Sequence, residues 1–192
     1  DHTTNDTTAI TKSGAGRWVL AGTNACTGTL LVKAGELRLD GSVGGSAVVS
    51  GGVFRGQGTV ARHLTVNAGT NAPQGALTAG GNFSLGSGGT LQIAVTAEQC
   101  DRIALTNTTA TVTLAGRLIL VVTSALPTNV PFLIVSNAGA APVTGTFTGR
   151  AEGSVFVAPP YQWRISYTNG DGNDIAVTAL APLVKWLAKH VG

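Results

Sequence analysis

The amino-acid sequence predicts an all-β chain wound as a parallel β-solenoid, on three observations. Short apolar runs alternate with Gly, Thr, Asn and Ser. Trp18-Val19-Leu20, Leu30-Leu31-Val32 and Leu37-Arg38-Leu39 all fall within residues 12–41, a strand-and-turn rhythm too quick for helix. The rhythm repeats: the turn glycines Gly35, Gly52 and Gly69 are evenly spaced, and Gly89 follows at a slightly wider interval. A near-constant period signals stacked units that cannot bury their apolar side alone. Composition agrees. Charged residues make up 11% of the chain and Gly 27 of 192 residues, while 43% of residues are hydrophobic, so the chain is under-charged but not disordered.

The elements follow in order. Residues 1–9 are a loose polar lead-in. Residues 10–41 form the first coils, and Ala47-Val48-Val49, Val53-Phe54 and Leu64-Thr65-Val66 continue them. Asn71-Ala72-Pro73-Gln74-Gly75 reads as a turn. Ala76-Leu77, Phe83-Ser84-Leu85 and residues 91–95 come next. Beyond Gln99 the strands lengthen, over 102–105, 111–114, 117–122, 130–135, 143–147, 154–157, 162–168 and 175–180. Residues 162–168 alternate, so one of their faces is wet. Asn169-Gly170-Asp171-Gly172-Asn173 predicts a hairpin. Parallel coils are expected over about 10–115 by this period. Closing coils and a hairpin cap then run to 180, because open solenoid ends expose strand edges that must be covered. The whole of 10–180 is one domain.

Residues 181–192 break the pattern. Pro182 can open a short helix, with Leu183, Trp186, Leu187 and Val191 near one face and Lys185 and Lys189 four apart. Leu183, Trp186 and Leu187 are therefore the candidate partner-docking residues. Docking on the solenoid, a partner subunit or a membrane surface, and an unstructured tail, all fit so short a segment.

Net charge is +3 with a pI near 9.2. The cations are spread thinly, without a basic patch or aromatic platform, which speaks against nucleic-acid binding. Arg38 and Arg55 lie one period apart. They form either an anion-attracting stripe or two separately solvated side chains, and the second is expected. Cys26 and Cys100 are too far apart along a solenoid to bond to each other. Free, partly buried thiols and an intermolecular bond are the two readings left. No Cys/His cluster points to a metal. Asp1, Asp6, Glu36, Asp40, Glu98, Asp101, Glu152, Asp171 and Asp174 show no cluster repeating at the coil period. Such a cluster is what a β-helical polysaccharide-cleaving enzyme would need. His2, His63 and His190 are isolated, and no Gly-x-Ser-x-Gly elbow occurs. Residues 170–174 contain a fragment like a calcium-binding nonapeptide, but one copy is more simply a turn. No catalytic, cofactor or metal site is expected.

Residues 11–24, Thr-Lys-Ser-Gly-Ala-Gly-Arg-Trp-Val-Leu-Ala-Gly-Thr-Asn, then Thr27-Gly28 and Val32-Lys33-Ala34-Gly35-Glu36-Leu37, resemble the passenger-associated repeat of bacterial autotransporters. Residues 71–77 are similar to the Asn-Ser-Pro-Gly segment that often follows. Asp101-Arg102-Ile103, residues 144–147 and residues 170–175 resemble the C-terminal end of such passengers. Cys26 stands where the repeat usually has an aromatic. The resemblance implies a right-handed parallel β-helix, secreted or displayed at the cell surface. It leaves open a stalk, an adhesin or an enzyme. The expected function is a non-catalytic display or adhesion scaffold. The alternatives are a subunit of an extracellular filament, self-associating through solenoid ends or tail, and a polysaccharide-acting enzyme. A host or cell-surface ligand is the implied partner.

Overall fold

A computed structural model describes residues 7–183. Its strands lay down three faces per turn of chain. The first face stacks β1 (Ile10–Lys12), β4 (Leu30–Val32), the opening parts of β7 (Ala47–Gly56), β9 (Leu64–Pro73) and β11 (Phe83–Val95), then β13 (Val112–Leu114) and β16 (Thr144–Gly145). The second face stacks β2 (Arg17–Leu20), β5 (Glu36–Leu39), the closing parts of β7, β9 and β11, and β14 (Arg117–Val122). The third stacks β3 (Thr23–Asn24), β6 (Ser42–Val43), β8 (Thr59–Val60), β10 (Ala76–Ala79), β12 (Arg102–Leu105) and β15 (Pro131–Asn137). All of these neighbours pair in parallel. The parallel stack therefore continues past residue 115, as far as Gly145.

Register makes like positions stack. Ile10, Leu30, Ala47, Leu64, Phe83 and Val112 are successive partners, so one coil runs from each of them to the next. The coils opened by Leu30 and Ala47 are the shortest, and those opened by Phe83 and Val112 are much the longest. The inward columns are apolar because a strand sends alternate side chains to one face. Val32, Val49, Val66, Leu85 and Leu114 form one such column, none more than 3% exposed. Full burial of side chains of this size contributes roughly 1.5–3 kcal/mol each. Glycine fits the corner between the first two faces. Gly52 has φ 66°, and a Cβ there would lie 2.5 Å from the carbonyl oxygen of Gly35 on the coil before it.

On the third face β15 also takes an antiparallel neighbour, β19 (Asp174–Pro182). A meander follows through β18 (Tyr161–Asn169) to β17 (Val155–Ala158). The expected hairpin joins β18 to β19, with Asn169 opposite Asp174 and positive φ at Gly170 and Gly172. Residues 162–168 alternate as read, with Trp163, Ile165 and Tyr167 buried. Trp163 sits 6.2 Å from the ring of Phe132 and 6.1 Å from that of Tyr161, and its indole N–H donates to the Ala158 carbonyl. The Tyr167 hydroxyl accepts from the Phe147 amide and donates to the Arg150 carbonyl. Burial pushes its pKa up to about 12.

One sequence expectation is corrected. Asn71-Ala72-Pro73 is not a turn but the end of β9, and the turn is confined to Gln74 and Gly75. Asn71 stacks between Phe54 and Leu91 in an inward column, wholly buried. Pairing and burial hold these residues extended despite their turn-forming chemistry. Pro73 ends the strand, where a missing amide is tolerated. The Asn71 amide makes one long bond, 3.4 Å, to the Phe54 carbonyl, and its Oδ1 has no partner.

Two substitutions test these columns by denaturant unfolding. Phe54→Ala should cost about 3–5 kcal/mol, because it opens a cavity at a position closed on both sides. Asn71→Leu should leave stability unchanged or raise it by about 1 kcal/mol, because it removes a buried acceptor without a partner.

Candidate functional site

Most acids that could serve a reaction are held in structural bonds. Both oxygens of Asp101 accept backbone amides, Oδ1 from Gly75 at 2.6 Å and Oδ2 from Ala94 at 3.1 Å. Asp174 accepts the Asn137 amide at 2.7 Å, and Glu152 the Tyr167 amide at 2.5 Å. Register places Arg38 directly against Arg55, as the spacing predicted. Yet Arg38 pairs with Asp40 at 2.7 Å, and Glu36 lies between Arg17 at 3.0 Å and Arg55 at 3.1 Å. The stacked cations are thus interleaved with carboxylates, and the stripe is compensated. Pairs this exposed contribute little to stability. His63 accepts the Asn82 amide on Nδ1 at 3.0 Å. Asp1, Asp6, His2 and His190 lie outside the described residues.

Glu98 is exposed at an open groove of about 480 Å³. The connection from β11 to β12 forms one wall with Glu98, Gln99, Cys100 and Arg102. The start of β15 contributes Pro131, Phe132 and Leu133, and Gln57, Gly75 and Ala76 complete the lining. The groove offers a carboxylate, a guanidinium, two amides and a thiol. The thiol donates to the Leu133 carbonyl at 3.1 Å. Burial above all pushes its pKa up to about 11, partly offset by the charge of Arg102. Cys100 is therefore held as a thiol at neutral pH, a poor nucleophile. Cys26 is partly buried on the first coil, just beyond β3. Both cysteines are free. Among the described residues, no group of three or more His, Cys, Asp or Glu is placed to hold a metal. No described helix is long and apolar enough to cross a membrane.

Leu183 is half-buried, and its amide donates to the Pro160 carbonyl at 2.9 Å. β19 runs to Pro182, so Ala181 and Pro182 belong to the last strand. Trp186 and Leu187 lie outside the described residues.

Sequence reasoning missed Lys12. It is 1% exposed, and its ammonium donates to the carbonyls of Ser13, Gly14 and Ala34, 5.7 Å from the Trp18 ring. Extending the period one coil back reveals it, since Lys12 stands in the column of Val32 and Val49.

Residues 10–39 match the family model described as passenger-associated-transport-repeat. The match begins with β1 and ends with β5, covering the first coil and two faces of the second. The match makes this stretch similar to the repeat found in autotransporter passengers. The further likenesses at 71–77, 101–103, 144–147 and 170–175 lie beyond the matched stretch. No curated protein matches the chain by sequence.

Alkylation with iodoacetamide at pH 8, followed by peptide mapping, should modify Cys26 well before Cys100. Modification of Cys100 should accelerate as pH rises toward 11. The folded thiol's pKa is raised above its unfolded value of 9.0. Its stabilising effect is therefore complete below pH 9 and is lost as pH climbs from 9 to about 11. Equal rates at the two cysteines at pH 8 would contradict this assignment.

Proposed function

We propose that the chain is a passenger-type stalk or display scaffold of the cell exterior, acting by rigid presentation and not by catalysis. One observation carries this reading: the passenger repeat at 10–39 opens an unbroken parallel stack that reaches Gly145. We take the coil to be right-handed, as parallel crossovers almost always are, and the β17–β19 meander to be its C-terminal cap. Backbone hydrogen bonds between coils run along such a stack, giving it stiffness with little dependence on surface side chains. Most carboxylates serve structure, and Cys100 is held as a thiol, which supports a non-catalytic role. The groove at Glu98 and Arg102 suits a small polar ligand of a host or cell surface, so the scaffold is adhesive in this reading. The surface sets no demand on nucleic acid. Cys26 is the thiol fitted to a bond between chains.

Negative-stain microscopy of the purified chain, whole and ending after Leu183, tests the role. Dispersed particles should appear in both samples. Ordered fibres that vanish on truncation would overturn the scaffold in favour of a self-assembling filament subunit docking through Trp186 and Leu187. Hydrolysis of a glycan panel that is lost in Glu98→Gln would overturn the non-catalytic reading.

A further inference from the structure

We infer that a corner pocket, where successive coils pass from the third face to the first, binds an acidic sugar unit. Arg62 and His63 hold its anionic group and Thr109 accepts from a hydroxyl. The pocket is separate from the groove beside Cys100. The inference does not rest on the scaffold reading, since a stalk and a filament subunit would carry this pocket alike.

The corner is built by a polar ladder. Ser46, His63, Asn82 and Thr111 stand immediately before the register partners Ala47, Leu64, Phe83 and Val112, so they stack. Three of these side chains accept the backbone amide of the next residue in the stack. Ser46 Oγ takes the His63 amide at 3.3 Å, His63 Nδ1 the Asn82 amide at 3.0 Å, and Asn82 Oδ1 the Thr111 amide at 3.1 Å. A neutral imidazole has one acceptor and one donor nitrogen. With Nδ1 accepting, Nε2–H is left as the donor. A Cβ on Gly81 would lie 2.7 Å from Nδ1, so glycine there gives the ring its seat. The ladder therefore fixes both the tautomer and the position of His63.

The pocket has a volume of about 270 Å³, and Arg62, His63, Asn107 and Thr109 contribute its free polar groups. Connections 61–63 and 80–82 are short, whereas 106–111 is longer and carries Asn107 and Thr109 across the corner. Asn107 Oδ1 accepts the Thr109 amide at 2.9 Å and the Thr109 hydroxyl at 2.8 Å. These bonds leave the Asn107 Nδ2 group as a donor. They also commit the Thr109 hydroxyl hydrogen, so Oγ1 is left as an acceptor. Arg62 is exposed and forms no ion pair among the described residues. No carboxylate lines the pocket. This sets it apart from the Arg38 and Arg55 column, which Asp40 and Glu36 discharge.

These groups select the ligand. A guanidinium beside two neutral donors calls for an anion. The acceptor at Thr109 calls for a hydroxyl on the same ligand. No aromatic or long apolar side chain lines the pocket, so a base has nothing to stack on and an acyl chain nowhere to be buried. The volume falls just under the roughly 300–1,000 Å³ of drug-sized ligand sites, which suits one small polar unit. A carboxylated or sulfated sugar meets all four conditions.

The test is heteronuclear NMR of the isotopically labelled chain, titrated at constant ionic strength with sodium glucuronate, glucose 6-sulfate, glucose and sodium sulfate. The two sugar acids should shift the His63 ring resonances and the amides of Asn82 and Thr109 saturably. Glucose should not, and sulfate should bind severalfold more weakly. Either order of the two sugar acids supports the inference and names the anion. Arg62→Gln should weaken their binding by about tenfold or more, with the melting temperature unchanged because Arg62 supports no contact of the fold. Thr109→Val should weaken both sugar acids severalfold and leave sulfate unaffected, a split that general charge attraction would not produce. Arg164→Gln, which removes an equal charge from β18, should change nothing. The absence of saturable shifts at Asn82 and Thr109 with either sugar acid overturns the inference. Shifts confined to Gln99 and Cys100 overturn it too, by assigning the binding to the other groove. Equal losses in Arg62→Gln and Arg164→Gln reduce it to general attraction and overturn it. Equal affinity for sulfate and glucose 6-sulfate, with Thr109→Val silent, leaves an adventitious anion only and overturns the sugar assignment.

Discussion

Everything in this fold depends on the backbone ladder between successive coils. Parallel strands about 4.8 Å apart leave no freedom for a coil to choose its own register, so each side chain lands on its counterpart one turn earlier. A single coil as short as 30–46 cannot enclose an interior. It becomes stable only when its neighbours close the column above and below. This is why the inward columns are mostly apolar and why departures are handled locally. Lys12 satisfies its ammonium with carbonyls of its own corner and of the next coil, and Asn71 is closed in between two apolar neighbours.

The same ladder decided how much could be read from sequence. The spacing of Gly35, Gly52 and Gly69 revealed the coil period because backbone crowding, not side-chain taste, keeps those positions glycine. Strands 102–105 and 117–122 were legible from apolar runs bounded by turn residues. Asn71-Ala72-Pro73 was misread because local turn chemistry was weighed without the column in which Asn71 stands. The later coils hid their membership of the parallel stack because the coil from Phe83 to Val112 is too long to show the period. The groove was beyond reach. Its walls come from residues 98–102 and 131–133, which only the fold brings together, and the burial that sets the Cys100 thiol is a property of that meeting.

Charge follows the same geometry. On a solenoid, two residues one period apart in sequence are in contact, so Arg38 and Arg55 would repel each other directly. Carboxylates on the same and the preceding coil, Asp40 and Glu36, offset this, and Glu36 serves Arg17 as well. The outer face is thereby discharged column by column, in a chain that carries few charges.

The uneven coil lengths have a further consequence. The long coil opened by Phe83 keeps its strands in register with the much shorter coil before it, so most of its surplus residues are carried by the corners. The entropy of loop closure rises only slowly with length, by about 0.6 kcal/mol per doubling. Corners are therefore places where such a molecule can acquire new surface without renegotiating its interior. The groove beside Cys100 lies at such a corner, lined by the connection from β11 to β12 and by the start of β15. Novelty in this architecture accumulates sideways, at the margins of a column whose own grammar stays fixed.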